Sequence, residues 1–180
     1  MAMGQEEVMK QAEALFMERE EREERERHLL MVHGCTLVTL RANYPGPDKR
    51  QPHTDLVVKI LQKEVEKRLV VTKMDKHRGC EGLLYHFLTE EEGLKVKKAM
   101  VKLEEEHPLG RLVDVDVRTA QGMLHREEVQ APLRRCYLCG ERAMHCVRSE
   151  KHPVAKVKRY FLEQLTRYLE RAEVPKGQHP

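Results

Sequence analysis

The chain contains no tryptophan, and aromatic residues make up only 4% of its 180 positions. Proteins that bind single-stranded nucleic acids stack the bases on aromatic side chains, so this composition argues against that class. The formal net charge of +3 is too small to indicate a nucleic-acid footprint. No apolar run is long enough to span a membrane. We therefore expect neither a nucleic acid nor a membrane as a partner.

The N-terminal segment lacks the apolar core of a signal peptide. Without such a signal, the five cysteines indicate free thiols in a reducing compartment rather than a disulfide framework. We therefore expect a cytoplasmic protein. The length and the hydrophobic content of 40% suit one domain with a real core, and we interpret residues 1–180 as a single domain.

Apolar periodicity and turn residues predict an α+β fold. After an N-terminal helix over 5–33, the segment 35–120 follows the ferredoxin-like order β-α-β-β-α-β, with a four-stranded antiparallel sheet. We expect an extension with a cysteine-rich knuckle at 121–152 and a C-terminal helix at 153–174. The predicted strands are 37–43, 69–76, 82–89 and 111–119, and the other predicted helices are 55–67, 90–106 and, within the C-terminal segment, 156–170.

The stretch 107–117 is the most informative part of the chain. Its valines alternate with Asp114 and Asp116, and alternate residues of a strand share one face. The two carboxylates then lie about 6.5–7 Å apart along the strand. Such a pair can hold Mg²⁺ and share it with substrate phosphates, which Arg111 at the strand entrance could also contact. The alternative is a half-exposed strand whose aspartates are simply solvated.

A run of glutamate and arginine fills residues 18–27 of the predicted N-terminal helix. Such a run is usually a solvated helix face with charge pairs four residues apart. The functional alternative is that Arg19, Arg22 or Arg25 turns inward onto a phosphate.

Three cysteines and a histidine lie close together in the C-terminal part of the sequence. Cys136, Cys139 and Cys146 have the spacing Cys-x2-Cys-x6-Cys, and His152 follows. This set is compatible with a tetrahedral structural Zn²⁺ site. The alternative is a knuckle of reduced thiols that pack as small hydrophobic groups. A single activated thiol fits three neighbouring cysteines less well.

Four short motifs occur in order along the chain. They are Arg19-x-x-Arg22, Pro45-Gly46-Pro47 with Lys49, His107-Pro108-Leu109-Gly110-Arg111-Leu112 with Asp114 and Asp116, and Arg135-Cys136-x-Leu138-Cys139 with Ala143, Cys146, Arg148 and His152. Together, from about residue 15 to residue 152, they resemble the apo-citrate lyase phosphoribosyl-dephospho-CoA transferase family, also described as citrate lyase holo-acyl-carrier-protein synthases. The chain differs from the family pattern at Glu26, where glutamine is expected.

The resemblance implies a nucleotidyltransferase reaction. The donor is 2′-(5″-triphosphoribosyl)-3′-dephospho-CoA, and the acceptor is a serine of the citrate lyase acyl carrier protein, the γ chain. The 2′-(5″-phosphoribosyl)-3′-dephospho-CoA group is transferred to that serine, and diphosphate is released.

The resemblance also implies roles for individual residues. Asp114 and Asp116 would hold Mg²⁺, and the phosphates would be bound by Arg19, Arg22, Lys49 and Arg111. His107 is a candidate general base for the serine hydroxyl. The alternative for His107 is a histidine at a helix C-terminus that complements the helix dipole.

Two other functions stay open at this stage. The first is the same transfer to the acyl carrier protein of malonate decarboxylase. The second is a non-enzymatic module in which a zinc knuckle docks a protein or RNA and the aspartates are solvated.

Overall fold

A computed structural model describes residues 5–46 and 49–173, so Pro47 of the predicted turn motif lies outside the described residues. The helices in this range are α1 (Gln5–His33), α2 (Pro52–Glu66), α3 (Gly93–Glu106), α4 (Ala143–Arg148) and α5 (Val154–Glu173). The strands are β1 (Thr36–Ala42), β2 (Lys73–Gly79), β3 (Gly82–Thr89), β4 (Val113–Thr119) and β5 (Gly122–Leu124). None of the described helices combines the length and apolarity that crossing a bilayer requires.

The strands form one antiparallel sheet in the order β2-β3-β1-β4-β5. The predicted α+β class is confirmed. The predicted number of four strands is wrong for the described sheet, because β5 pairs with β4 through Val117 and Leu124. Gly122 has a φ of 128°, a conformation that favours glycine, and it turns the chain back onto β4. The strand that carries the two aspartates is therefore flanked on both sides.

The face of the sheet formed by the β4 valines packs against α2 and α3. Val38, Leu40, Phe87 and Val115 contribute to this core, which α2 and α3 cover with their apolar sides. On the other face, Leu37 and Leu88 form a small apolar cluster with Leu30 of α1. Apart from the buried Leu84, the middle of that second face is polar, with Thr39, Arg41 and His86 beside the aspartates, and it carries the candidate site.

The second strand lies further along the chain than predicted. β2 spans Lys73–Gly79, whereas the β-branched pair Val70 and Val71 favoured a start at residue 69. Val70 is 73% exposed and lies before the strand. The tight connection that pairs Gly79 with Gly82 sets the register with β3, and this register overrides local β-propensity.

The motif His-Pro-Leu-Gly-Arg-Leu forms a bend between α3 and β4. Its last three residues make a 3-10 turn, Gly110–Leu112. β4 therefore begins at Val113, two residues later than predicted. A Cβ atom at Gly110 would lie 2.5 Å from the carbonyl oxygen of Leu103. Glycine therefore allows the chain to pass close to the last turn of α3.

The predicted boundaries of the later helices need small corrections. α3 begins at Gly93 rather than residue 90, because Glu92 is its N-cap and accepts hydrogen bonds from two backbone N–H groups. α5 contains the predicted helix and extends it at both ends. Phe161 of α5 is buried, and its ring centroid lies 5.0 Å from that of Tyr44. This contact holds α5 against the loop after β1.

Candidate active site and metal cluster

Asp114 and Asp116 lie on the polar face of the sheet, as the alternation of β4 predicts. Their side chains are 27% and 31% exposed. Arg41 of β1 pairs in register with Asp114, and its guanidinium donates to Asp116 Oδ2 at 3.1 Å. Asp114 Oδ2 is 3.9 Å from the same Nη2 atom. Burial alone would lower the pKa of Arg41, but Asp114, Asp116 and Glu81 raise it above its usual value.

Arg134 contacts Asp114 from the other side. It donates to Asp114 Oδ1 at 2.5 Å and to the carbonyl oxygen of Val113 at 2.8 Å. Each aspartate is thus held by an arginine through one oxygen. Within residues 5–46 and 49–173, Asp114 Oδ2 and Asp116 Oδ1 accept no hydrogen bond. A cation bound by the pair would contact these two oxygens, of which Asp114 Oδ2 also lies 3.9 Å from Arg41 Nη2.

A buried carboxylate, Glu81, organises the neighbouring arginines. Arg19, Arg22 and Arg41 approach its oxygens at 3.2, 3.3 and 3.3 Å. Arg22 is mostly covered, so part of the Glu/Arg run turns inward and the helix face is not simply solvated. The partner of Arg19 and Arg22 on this inward face is the carboxylate of Glu81. Arg25 is 42% exposed and pairs with Asp75 at 3.8 Å.

Lys49 belongs to the same group of charges. Burial and the neighbouring Arg41 lower its pKa, whereas Asp114 and Glu81 oppose this effect. The carbonyl oxygen of Lys49 accepts a hydrogen bond from Thr54 Oγ1 at 2.6 Å, which fixes the loop before α2. The structure therefore brings the predicted phosphate-binding residue Lys49 close to the predicted metal ligand Asp114.

Arg111 and His107, both in the motif that precedes β4, make contacts with different parts of the fold. The Arg111 side chain donates to the carbonyl oxygen of Arg135, and burial together with Arg134 lowers its pKa. The His107 ring instead lies 5.4 Å from that of Tyr168 on α5.

His107 belongs to the layer of helices on the valine face. Its Nδ1 accepts a hydrogen bond from the backbone N–H of Leu109 at 3.1 Å. Burial lowers the pKa of His107, and its charged neighbours, Glu64, Arg68 and Lys67, belong to α2 and the residues just after it. No contact joins His107 to either aspartate within the described part of the chain.

Several charged residues of the site were not predicted from the sequence. They are Arg41, Glu81, Lys97, Glu104, Arg126 and Arg134. Arg41 alone carried a local signal, because it is a charged residue in an otherwise apolar and threonine-containing strand. The others join the charge network around the aspartates from distant parts of the sequence: Arg134 contacts Asp114 itself, whereas Glu81 is linked to the aspartates through Arg41.

Glu104 of α3 extends the charge network behind Asp114. It accepts hydrogen bonds from Arg134, from Arg126 at 2.6 Å, and from the backbone N–H of Val115 at 3.1 Å. Burial raises its pKa despite these partners. Lys97, also on α3, is buried near Glu104 and Asp116, and burial lowers its pKa.

The cysteines and the histidine form a compact cluster of donor atoms. One ligand atom from each of Cys136, Cys139, Cys146 and His152 lies within 4.8 Å of the other three. Cys139 Sγ is 3.5 Å from Cys146 Sγ and 3.3 Å from His152 Nε2. In a tetrahedral site with Zn–S bonds of about 2.3 Å, neighbouring sulfurs lie roughly 3.8 Å apart. The cysteines are free, so this cluster could hold a metal ion.

A tight knuckle and a short helix build this cluster. The N–H of Gly140 donates to the Cys136 carbonyl at 2.8 Å, and Gly140 has a φ of 76°, which favours glycine. α4 then carries Cys146 back to the knuckle. A hydrogen bond from the Glu141 backbone, with contacts to Cys146 and His152, lowers the pKa of Cys139 to about 7. Burial raises the pKa of Cys146 to about 12.

Comparison with known proteins agrees with the motifs. A family model described as apo-citrate lyase phosphoribosyl-dephospho-CoA transferase matches residues 10–168. The chain belongs to this transferase family. The match spans the arginines of α1, both aspartates and the cysteine cluster, so the candidate site lies within the part of the chain that defines the apo-citrate lyase phosphoribosyl-dephospho-CoA transferases.

Individual relatives support the assignment. A probable apo-citrate lyase phosphoribosyl-dephospho-CoA transferase of Vibrio cholerae serotype O1 is 32% identical over 149 residues, covering 78% of this chain and 83% of the relative. The apo-citrate lyase phosphoribosyl-dephospho-CoA transferase of Citrobacter koseri is 33% identical over 153 residues, covering 78% and 80%. Protein CitXG of Leuconostoc mesenteroides subsp. cremoris is 32% identical over 148 residues, which are 77% of this chain and 31% of that longer protein.

Proposed function

We propose that this protein transfers the 2′-(5″-phosphoribosyl)-3′-dephospho-CoA group from 2′-(5″-triphosphoribosyl)-3′-dephospho-CoA to a serine of the apo acyl carrier protein of citrate lyase. Family membership supports the reaction. The structural observation that carries the proposal is the pair Asp114 and Asp116, which keep one oxygen each outside hydrogen bonds amid a group of cations. Such a site suits a polyphosphate bound with a divalent ion.

In the proposed reaction one P–O bond forms and another P–O bond breaks. The serine hydroxyl oxygen attacks the phosphorus attached to the ribosyl group, and the bond from that phosphorus to the bridging oxygen of diphosphate breaks. The serine proton passes to a general base, for which His107 is the candidate, or to water; diphosphate leaves, and a phosphodiester joins the carrier to the nucleotide group. The nucleophile belongs to the partner, so this chain needs no catalytic serine of its own and contributes positioning and charge neutralisation.

The two aspartates fit Mg²⁺, which prefers oxygen ligands. Asp114 Oδ2 and Asp116 Oδ1 would hold the ion, while Arg134 and Arg41 fix the orientation of the carboxylates. When bound, Mg²⁺ neutralises charge on the triphosphate. The phosphate-binding roles of Arg19, Arg22, Lys49 and Arg111 remain part of the proposal. Their support is the shared neighbourhood of Arg19, Arg22 and Lys49 around Glu81 and the position of Arg111 beside Arg134.

A general-base role for His107 also stays a prediction. Its position as the residue that caps the C-terminal end of α3, with contacts to Leu109 and Tyr168, supports the alternative of a histidine at a helix C-terminus.

We also propose that Cys136, Cys139, Cys146 and His152 bind a structural Zn²⁺. Three thiols and an imidazole are a common zinc ligand set, and their separations suit tetrahedral coordination.

We further propose that the protein is a single domain with a ferredoxin-like core and that it is cytoplasmic. The order of the first four strands and their two connecting helices, with the sheet order β2-β3-β1-β4, supports a ferredoxin-like core. The contacts of α5 and α1 with the sheet layers support one domain for residues 1–180. The free thiols support a cytoplasmic location.

Intact mass spectrometry tests the transfer directly. Apo citrate lyase acyl carrier protein is incubated with the protein, the triphosphoribosyl donor and Mg²⁺. The proposal predicts a mass gain equal to the donor minus diphosphate, and EDTA should abolish it. If a competent citrate lyase carrier gains no mass while the malonate decarboxylase carrier does, the carrier assignment is wrong. If neither gains mass, the enzymatic proposal is overturned.

A further inference from the structure

The metal cluster is joined directly to the candidate active site. Arg134 and Arg135 immediately precede Cys136. The carbonyl oxygen of Arg134 accepts a hydrogen bond from the N–H of Ala143 at 2.9 Å, and the carbonyl oxygen of Arg135 accepts one from the Arg111 side chain. The fold of the knuckle and α4 therefore sets the backbone position of Arg134.

From this backbone position, the Arg134 guanidinium reaches three acceptors at the site. It donates to Asp114 Oδ1, to the Val113 carbonyl and to Glu104. The side chain is only 20% exposed. Small displacements of its backbone would break these contacts, because the planar guanidinium binds its acceptors in a fixed fork geometry.

Little apolar packing holds the knuckle together. Between residues 134 and 152, all of which the structure describes, Cys146 is the one buried residue. Met144 and Val147 of α4 are largely exposed. Before the knuckle, between β5 and residue 134, the regular structure consists of a three-residue 3-10 turn, Glu127–Val129. A segment with so small a core needs another source of order, and a bound metal ion supplies it in many small modules.

Besides the half-exposed ion pair of Lys151 with Glu141, an aromatic contact could anchor the knuckle without a metal ion. The rings of Tyr137 and Tyr160 stack with centroids 4.3 Å apart, which attaches the knuckle to α5. Burial raises the pKa of Tyr137 to about 12. This stack fixes one side of the knuckle, but it does not hold α4 and His152 against Cys139. The test must therefore separate metal binding from this aromatic contact.

We infer that zinc bound by Cys136, Cys139, Cys146 and His152 positions Arg134 on Asp114, so that the transferase site is complete only in the metal-loaded protein. This inference rests on the proposed function for its effect on transfer. Its structural part, the dependence of the Arg134 backbone on the metal, is independent of any reaction. Arg134 is a positioning residue here, because it acts through the orientation of Asp114.

The first measurement is the zinc content and the hydrogen exchange of the full chain. Wild type and Cys35→Ser, a matched control outside the cluster, should each carry about one zinc ion per chain. Cys139→Ser should lose most of it. The amide hydrogens of Cys136 and Ala143, which are bonded within the knuckle and to Arg134, should then exchange faster. A metal-free wild type, or unchanged exchange after metal loss, overturns the inference.

The second measurement is a double-mutant comparison of transfer rates. Cys139→Ser and Arg134→Gln should each lower transfer by about 10–100-fold and raise the Mg²⁺ concentration needed for half-maximal transfer. The double variant Arg134→Gln, Cys139→Ser should transfer the group at nearly the same rate as Arg134→Gln alone. Losses that multiply would show that the metal acts elsewhere and would overturn the inference. If Arg134→Gln fails to fold by circular dichroism, Arg134→Lys replaces it.

The two proposals fail in different ways. If wild type modifies neither carrier, the proposed function is wrong, and the zinc content and hydrogen exchange still decide the structural inference. If wild type transfers the group and metal-free protein transfers it equally well, the proposed function stands and the inference is wrong.

Discussion

Arg41 reaches diagonally across the ladder between β1 and β4 to Asp116. Its register partner is Asp114, but its Nη2 donates to Asp116 Oδ2 at 3.1 Å, and its Nη1 pairs with Glu81 at 3.3 Å. One guanidinium thus joins the paired aspartates to the buried carboxylate that gathers the arginines of α1. This connection makes Arg41 the link between the proposed metal ligands and the proposed phosphate-binding residues.

Loss of Arg41 should therefore impair transfer strongly. We expect Arg41→Gln to lower the transfer rate by about 10²–10³-fold, the effect typical of removing one preorganised charge-stabilising donor. Arg27→Gln is the control, because Arg27 is exposed and, among residues 5–46 and 49–173, its ion pair is with the nearby Glu24 on α1. The rate of carrier modification at saturating Mg²⁺ provides the measurement. Equal rates for the two variants would remove Arg41 from the site.

Glu26 should stabilise the protein at neutral pH and lose this effect in acid. Burial alone would raise its pKa, but hydrogen bonds with His86 and Thr39 and the charge of Arg118 lower it below the usual value. The ionised form is therefore favoured by folding, and its contribution is present above the pKa of about 4.3 in the unfolded chain. The contribution is lost as the pH falls through the lower pKa of the folded state.

Urea unfolding of Glu26→Gln checks this dependence. At pH 7 we expect the variant to be less stable by about 1–3 kcal/mol, because Arg118 loses a buried charged partner. The difference from wild type should shrink as the pH falls below about 4.3. Glu24→Gln, at an exposed position of the same helix, should behave like wild type throughout. A difference that stays constant with pH would contradict the assignment.

The placement of His107 predicts a larger effect on stability than on transfer. His107→Leu removes the acceptor of the Leu109 N–H and the ring that packs near Tyr168. We expect a lower midpoint of thermal unfolding and a transfer rate within a few-fold of wild type. A general base typically contributes 10²–10⁴-fold, so a loss of that size with an unchanged midpoint would establish the base role instead.

Local patterns predicted the elements whose packing follows from their own sequence. The alternation of valine and aspartate placed Asp114 and Asp116 on one face, and β3 was predicted with its observed bounds. β5 has only three residues, too few for a periodic signal, and it exists because Gly122 turns the chain onto β4. β2 lies later than predicted because its tight turn, rather than Val70 and Val71, sets the register.

The candidate site was predictable only where its residues belong to one motif. The ligand spacing of Cys136, Cys139 and Cys146 is local, and the structure brings these thiols together. Glu81 and Arg134 gave no such signal. Glu81 is 40 residues from its partner Arg41 in the sequence, and Arg134 is 20 residues from its partner Asp114. Ion pairs between distant segments depend on the whole fold, and no local period encodes them.

The most direct test compares wild type with the double variant Asp114→Asn, Asp116→Asn. Both are incubated with apo citrate lyase acyl carrier protein, the triphosphoribosyl donor and Mg²⁺, and the intact mass of the carrier is measured. The proposed function predicts that wild type adds the mass of the donor minus diphosphate and that the double variant, folded by circular dichroism, adds almost none. Equal mass gain with both proteins, or no gain with wild type on a competent carrier, would contradict it.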